Sequence, residues 1–311
     1  MRVLVVGAGA IGMLFAGLIS MNGGDVVILT RRKNAEEVIR RDGVFIDDGE
    51  RTLRARPECS TDPNIARDAE LCLMCVKSYD TESVSRSLSG FLHEGSFVVT
   101  VQNGLNNVET LTSIFGPHRV IAGYTTHAST VTAINRVFHA HSGETVLGRH
   151  PQTSTEQEKI EAISRYLTRH GIKTSTEPNV FPRIVAKLIV NSVINPLTAV
   201  LKVRNGELSM LPSIRELIGE LIEEGVQAGR ELGVQLSVEE VGQLVYDVIR
   251  ETGSNRSSML QDVENGRLTE IEFINGAIAK ILYGSGKQAP ANMFLARLVR
   301  ALEERALGAG R

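Results

Sequence analysis

The segment Gly7-Ala8-Gly9-Ala10-Ile11-Gly12 constrains this chain more than any other. It has the spacing G-x-G-x-x-G, it follows the apolar run 2–6, and it opens a helical pattern over 11–22 that stops at Gly23-Gly24. A strand before and a helix after give this short motif its meaning. The first glycine permits a tight turn, the second lets a pyrophosphate reach the backbone, and the third lets helix and strand pack closely. A phosphate placed there meets the free N–H groups and the positive end of the helix. These six residues are the candidate dinucleotide loop, and they predict an α/β fold with a Rossmann-type parallel sheet.

The end of the next apolar run, 26–29, bears on which dinucleotide. A site for the unphosphorylated ribose places an acid there. This chain has Leu29-Thr30-Arg31-Arg32-Lys33 instead. Guanidinium forks suit a 2′-phosphate, which favours NADPH; a solvated basic turn is the alternative.

Further short apolar runs at 71–76, 97–101 and 120–122 alternate with helical patterns at 81–91 and 108–114, as in a parallel sheet covered by helices. Residues 125–147 suggest an antiparallel extension. From about residue 178 the pattern becomes helical throughout, over 183–203, 213–232, 238–251, 270–283 and 291–307, with Pro290 where a helix can start. Two domains are expected, 1–175 with the dinucleotide and 176–311 all helical, the latter carrying the substrate and the catalytic group. With 34 Lys and Arg against 36 Asp and Glu, the net charge of -2 calls for neither nucleic acid nor an anionic membrane. No apolar stretch spans a membrane without interruption, and the cytoplasm is the expected location. The three cysteines, Cys59, Cys72 and Cys75, form no ligand set, so no metal is expected.

Lys187, Asn191, Asn195 and Thr198 fall on one helical stripe inside an apolar segment, and Pro196 should bend or interrupt that helix. Buried polar groups of this kind need a polar ligand or a network between helices. A second polar cluster is Asn255-Arg256-Ser257-Ser258, followed by Asp262, Thr269 and Glu270.

Taken with Lys77, Gln102-Asn103-Gly104, Thr125-Thr126-His127-Ala128, the block 187–199, Asn205-Gly206-Glu207-Leu208, 257–262 and Thr269-Glu270-Ile271, the chain resembles the ketopantoate reductase (2-dehydropantoate 2-reductase) family. The resemblance covers nearly the whole chain. It implies an NADPH-dependent reduction of 2-dehydropantoate to pantoate, toward pantothenate and coenzyme A. It implies Lys187 as proton donor and Asn103, Asn191, Asn195, Asn205 and Ser258 around the substrate. On the cofactor side it implies Gly7, Ala8, Gly9, Ala10, Ile11, Gly12, Arg31, Lys77, Asn103, Ser129 and Glu270. Two positions depart from the family: Asn106, where glycine is frequent, and Ser129, where many members have alanine. Two rival readings are a reductase of the same fold for another 2-oxo acid and a non-catalytic NADPH-binding sensor. Retention of Lys187, Ser258 and Glu270 argues against the sensor. A small-molecule 2-oxo acid is the expected partner, and both a homodimer and a monomer fit a helical second half.

Overall fold

The computed structural model describes residues 1–308, in two compact units: Met1–Gln102 with Asn106–Phe181, and Asn103–Leu105 with the described residues from Pro182 onward. The first unit contains strands β1 (Arg2–Val6), β2 (Asp25–Leu29), β3 (Val44–Asp47), β4 (Thr52–Ala55), β5 (Glu58–Ser60), β6 (Leu71–Met74), β7 (Phe97–Thr100), β8 (Val120–Thr125), β9 (Ala128–Ala133), β10 (Arg136–His141), β11 (Thr145–Gly148) and β12 (Thr174–Glu177). Its helices are α1 (Ala10–Met21), α2 (Lys33–Asp42), α3 (Thr81–Leu88), α4 (Asn107–Phe115) and α5 (Gln157–Arg169).

Eight strands form one sheet in the order β12-β11-β8-β7-β6-β1-β2-β5. Every pairing in it is parallel except β11 with β8. The central strands are buried on both faces, which is why β1 and β6 read as unbroken apolar runs and not as alternation. The core packs β1 and β2 side chains against Leu14, Phe15 and Ile19 of α1, Ile39 of α2, and Ile160, Ile163 and Leu167 of α5. The chain moves from β1 to β2 on one side and later returns to place β6 on the other side of β1. That reversal is the place where open α/β sheets bind ligands, at the carboxyl ends of the strands.

A second sheet, β4-β3-β10-β9, is an addition that the sequence patterns did not suggest. It packs on α1 so closely that a Cβ on Gly17 would lie 2.6 Å from Cδ1 of Ile46. The antiparallel expectation for 125–147 therefore resolves into two things. The β9–β10 pair belongs to this small sheet, and the β8–β11 pair belongs to the large one.

The second unit is built on α6 (Phe181–Leu201), α7 (Arg215–Glu231), α8 (Val238–Glu251), α9 (Ser258–Glu264), α10 (Asn275–Gly284) and α11 (Pro290–Gly308). Gly225 of α7 lets that helix close on α6, since a Cβ there would lie 2.8 Å from Ile189. The core around Leu188, Ala199, Leu260, Ile278, Leu282, Ala296 and Val299 is shared by α6, α9, α10 and α11. Pro196 does not interrupt α6, which continues to Leu201. The helix expected over 270–283 is broken instead: Ile271–Phe273 is a 3-10 turn, and Ile274 leaves helical geometry at φ -109, ψ -89 before α10 begins. By length and composition α6 is apolar enough to cross a membrane, with mean hydropathy 1.7, but 67% of that window is buried inside the protein. It is a core helix that carries a polar stripe.

Candidate active site

The glycine loop is built from the carboxyl end of β1. Gly7 sits at φ +109, a left-handed geometry that suits glycine, and its N–H donates to Leu29 O at 2.8 Å. Gly12 is forced by the chain itself, because a Cβ there would fall 1.9 Å from Gly7 O. Gly9 is different. It caps α1 with extended backbone, and the nearest atom to an added Cβ is Cys75 O at 3.9 Å. Nothing in the protein's own packing requires glycine at that position. What its missing side chain preserves is open space at the start of a twelve-residue helix, the kind of cradle a phosphate fills.

Arg31, Arg32 and Lys33 follow β2, but the three cations have separate roles. Arg32 donates from Nη2 to Ala8 O at 2.7 Å and so clamps the glycine loop. Arg31 is exposed and donates from Nη1 to Asp80 Oδ1 at 3.0 Å. Lys33 opens α2. Lys77 is half-buried in the loop after β6. That loop is held by a polar network that sequence reasoning missed: Gln102 Nε2 donates to Val76 O at 2.7 Å and to Thr81 Oγ1 at 2.8 Å, and Asn107 Nδ2 donates to Ser78 Oγ at 3.1 Å. Because β1, β2 and β6 are parallel, the loop, Arg31 and Lys77 all follow the carboxyl ends of their strands, on one side of the sheet. Asn106, the departure from glycine, has φ 71. Asn tolerates the left-handed region better than most side chains, so it keeps the backbone that glycine would give.

Ser129 lies on β9 in the small sheet, paired with His139 of β10. Its Oγ and the Nε2 of His127 are buried with no hydrogen-bond partner among the described residues. His127 Nδ1 lies 3.1 Å from His139 Nε2, and Phe15 of α1 packs edge-on against the His127 ring. Burial, aided by His139 and His141, pushes His127 down to about 4, so it is neutral at physiological pH.

In the second unit, α6 presents Lys187 and Asn191 half-buried and Asn195 and Thr198 buried. Asn191 Nδ2 approaches Asn103 Oδ1 at 3.5 Å, so Asn103 joins this stripe. Burial pushes Lys187 from 10.5 down to about 8, opposed by the negative charge of buried Glu270. A carboxylate thus stands within electrostatic reach of an amine that can gain or lose its proton near neutrality. Thr198 serves structure, donating to Ser257 Oγ at 2.7 Å, while Ser257 caps α9 by accepting from Leu260 N. The adjacent Ser258 is left exposed at the first turn of α9. Asn205 is docked by its Nδ2 on Thr252 Oγ1 at 2.8 Å, and its buried Oδ1 has no partner among the described residues. Asp262, in the second polar cluster, is buried and pairs with Arg267 at 3.2 Å. No group of three or more metal-ligating side chains occurs among the described residues.

Comparison with known proteins gives a consistent picture. The family model described as ketopantoate reductase PanE/ApbA matches residues 3–152, and the model of its C-terminal region matches residues 179–303. A protein of Halobacterium salinarum named 2-dehydropantoate 2-reductase is 34% identical over 303 residues, covering 96% of this chain and 98% of its own. One of the same name from Archaeoglobus fulgidus is 33% identical, covering 97% and 98%. Among solved structures, a PanE/ApbA family ketopantoate reductase from Ralstonia eutropha JMP134 superposes with a TM-score of 0.90 at 27% identity, over 98% of this chain and 99% of that one. A D-mandelate dehydrogenase solved with NADH and anilino(oxo)acetate has the same fold, with a TM-score of 0.91 at 23% identity over 98% and 99%.

Proposed function

Because the chain belongs to the ketopantoate reductase family, we propose that it reduces 2-dehydropantoate to pantoate with NADPH, in the cytoplasm. The observation that carries this reading is the placement of half-buried Lys187 on the same helical stripe of α6 as Asn191 and Asn195, where burial pushes its amine down to about 8. NADPH supplies the hydride when bound. As the ketone carbon is reduced, negative charge develops on its oxygen; the Lys187 ammonium stabilises that charge and delivers the proton from Nζ. Glu270 favours the protonated lysine that the step requires. Asn103, Asn191, Asn195 and Asn205 offer amide donors and acceptors to the substrate, and the orphaned Oδ1 of Asn205 is suited to a substrate hydroxyl. Ser258 would donate to its carboxylate. Residues 1–175 would form the dinucleotide domain and 176–311 the substrate domain.

For the cofactor, Gly7, Ala8, Gly9, Ala10, Ile11 and Gly12 would hold the pyrophosphate, with Arg31 on the 2′-phosphate and Lys77 beside it. Ser129 and Glu270 would complete its contacts. The open space at Gly9 and the absence of an acid directly after β2 are what the residues themselves offer in support.

Oxidation of NADPH, followed by its absorbance, should begin when 2-dehydropantoate is added to the purified protein. Faster turnover with a different 2-oxo acid would replace the substrate assignment, and NADPH binding with no turnover of any would favour the sensor. Arg31→Ala should raise the NADPH KM about tenfold, the range of one charge-assisted contact, with NADH use little changed. Equal losses with both cofactors would remove Arg31 from the 2′-phosphate.

A further inference from the structure

Pro196 has no N–H, so the carbonyl four residues earlier in α6, that of Ser192, loses its helical donor. Ser192 is fully buried, and a buried orphan carbonyl is destabilising. The donor comes from elsewhere: Asn275, the first residue of α10, gives an Nδ2 hydrogen bond to Ser192 O at 2.8 Å. Asn275 is itself wholly buried and is oriented by a chain of groups with one direction. The Glu224 carboxylate accepts from Ala291 N at 2.8 Å, from Asn292 N at 2.9 Å and from Asn292 Nδ2 at 2.7 Å. That fixes Asn292 Oδ1 as an acceptor, and it receives Asn275 Nδ2 at 2.9 Å. Each oxygen of the Glu224 carboxylate accepts a backbone N–H at the start of α11, so the orientation of both amides follows from that contact.

We propose that Asn275 is a positioning residue for the substrate helix: it supplies from outside the hydrogen bond that Pro196 withholds, and so holds the turn between Asn191 and Asn195. Ser192 and Pro196 each directly follow one of those two asparagines in sequence. In an unbroken ladder that turn would be held by its own backbone. Here it is held by α10, in the stretch that follows Glu270 and the 3-10 turn Ile271–Phe273. The inference rests on the substrate reading given above for Asn191 and Asn195.

The test is a cycle of Asn275→Ala, Pro196→Ala and the double variant, with urea unfolding, NADPH titration and 2-dehydropantoate kinetics on each full-length protein. Asn275→Ala should lower the unfolding midpoint and raise the substrate KM about tenfold, the loss of one good hydrogen bond to substrate, with NADPH affinity unchanged. In the Pro196→Ala background the substituted residue brings an N–H back to Ser192 O, so losing Asn275 should cost clearly less stability. Pro196→Ala alone should fold at least as stably as the native protein with a near-native substrate KM, and the double variant should recover most of the substrate binding lost in Asn275→Ala; the double variant keeps the test open if Asn275→Ala does not fold. Equal stability losses in the two backgrounds would overturn the exchange of donors. A native substrate KM in Asn275→Ala, or a double variant that binds substrate no better than Asn275→Ala, would overturn the positioning role. The unfolding arm needs no substrate, so a protein that ignores 2-dehydropantoate would count against the substrate reading and not against the hydrogen bond.

Discussion

Lys187→Ala is expected to lower turnover by about 10²–10⁴-fold, the usual contribution of a general acid. NADPH affinity, read by fluorescence titration, should be unchanged, because the residues proposed for the dinucleotide lie mostly in the other unit. The substrate KM should rise as well, since the same ammonium would contact the ketone oxygen. The pH profile is the sharper readout. An unperturbed lysine stays protonated to about 10.5, whereas burial brings Lys187 to about 8. Below that value the proton is present to be given; above it the donor is lost. The native rate at subsaturating substrate should therefore fall from about pH 8 upward, and the alanine variant should lose this alkaline limb along with most of its rate. Near-native turnover with the limb intact would place the proton on another group and leave Lys187 a structural residue.

The second large effect separates two glycines of one loop. Gly9→Val should abolish NADPH binding while circular dichroism and the unfolding midpoint stay native, because the protein leaves room for a side chain there and the proposed pyrophosphate does not. Gly12→Ala should do the opposite first: its Cβ would fall 1.9 Å from Gly7 O, so loop and helix must move apart. Overpacking of this kind costs about 1–3 kcal/mol, seen as a lower midpoint with or without cofactor. If Gly9→Val binds NADPH with native affinity, the loop is not the pyrophosphate site.

Features that depend on local pattern could be read before folding. The strand–glycine–helix sequence at 2–22 and the apolar runs that became β6, β7 and β8 carry their own signals. So does the stripe from Lys187 to Thr198, because helical spacing alone puts those residues on one face. The rest needed tertiary contacts. Strands β3, β4 and β5 are three or four residues long and mix polar with apolar positions, so no period emerges. The run 270–283 keeps a helical spacing across Ile274, and only the backbone angles reveal the break. Arg31 and Arg32 are adjacent and chemically alike; that one reaches Asp80 and the other the glycine loop follows from side-chain direction. The line from Glu224 through Asn292 to Asn275 joins residues from three helices, and spacing along the chain gives no hint of it.

The thiols have a practical consequence. Burial pushes Cys59 and Cys75 up to about 12 and Cys72 higher still. The thiolate is the reactive form, and against an ordinary value of 9.0 this cuts its population about a thousandfold. All three are unbridged. Maleimide or haloacetamide dyes should therefore spare buried Cys59 and Cys72 and react only slowly at half-buried Cys75, and a single cysteine introduced on an exposed helix can carry a fluorophore with the wild-type background left in place. Cys75 marks the exception to plan around: it is half-buried, and its own Cβ lies 3.3 Å from where a Gly12 Cβ would be, so a reagent that modifies it would disturb the glycine loop.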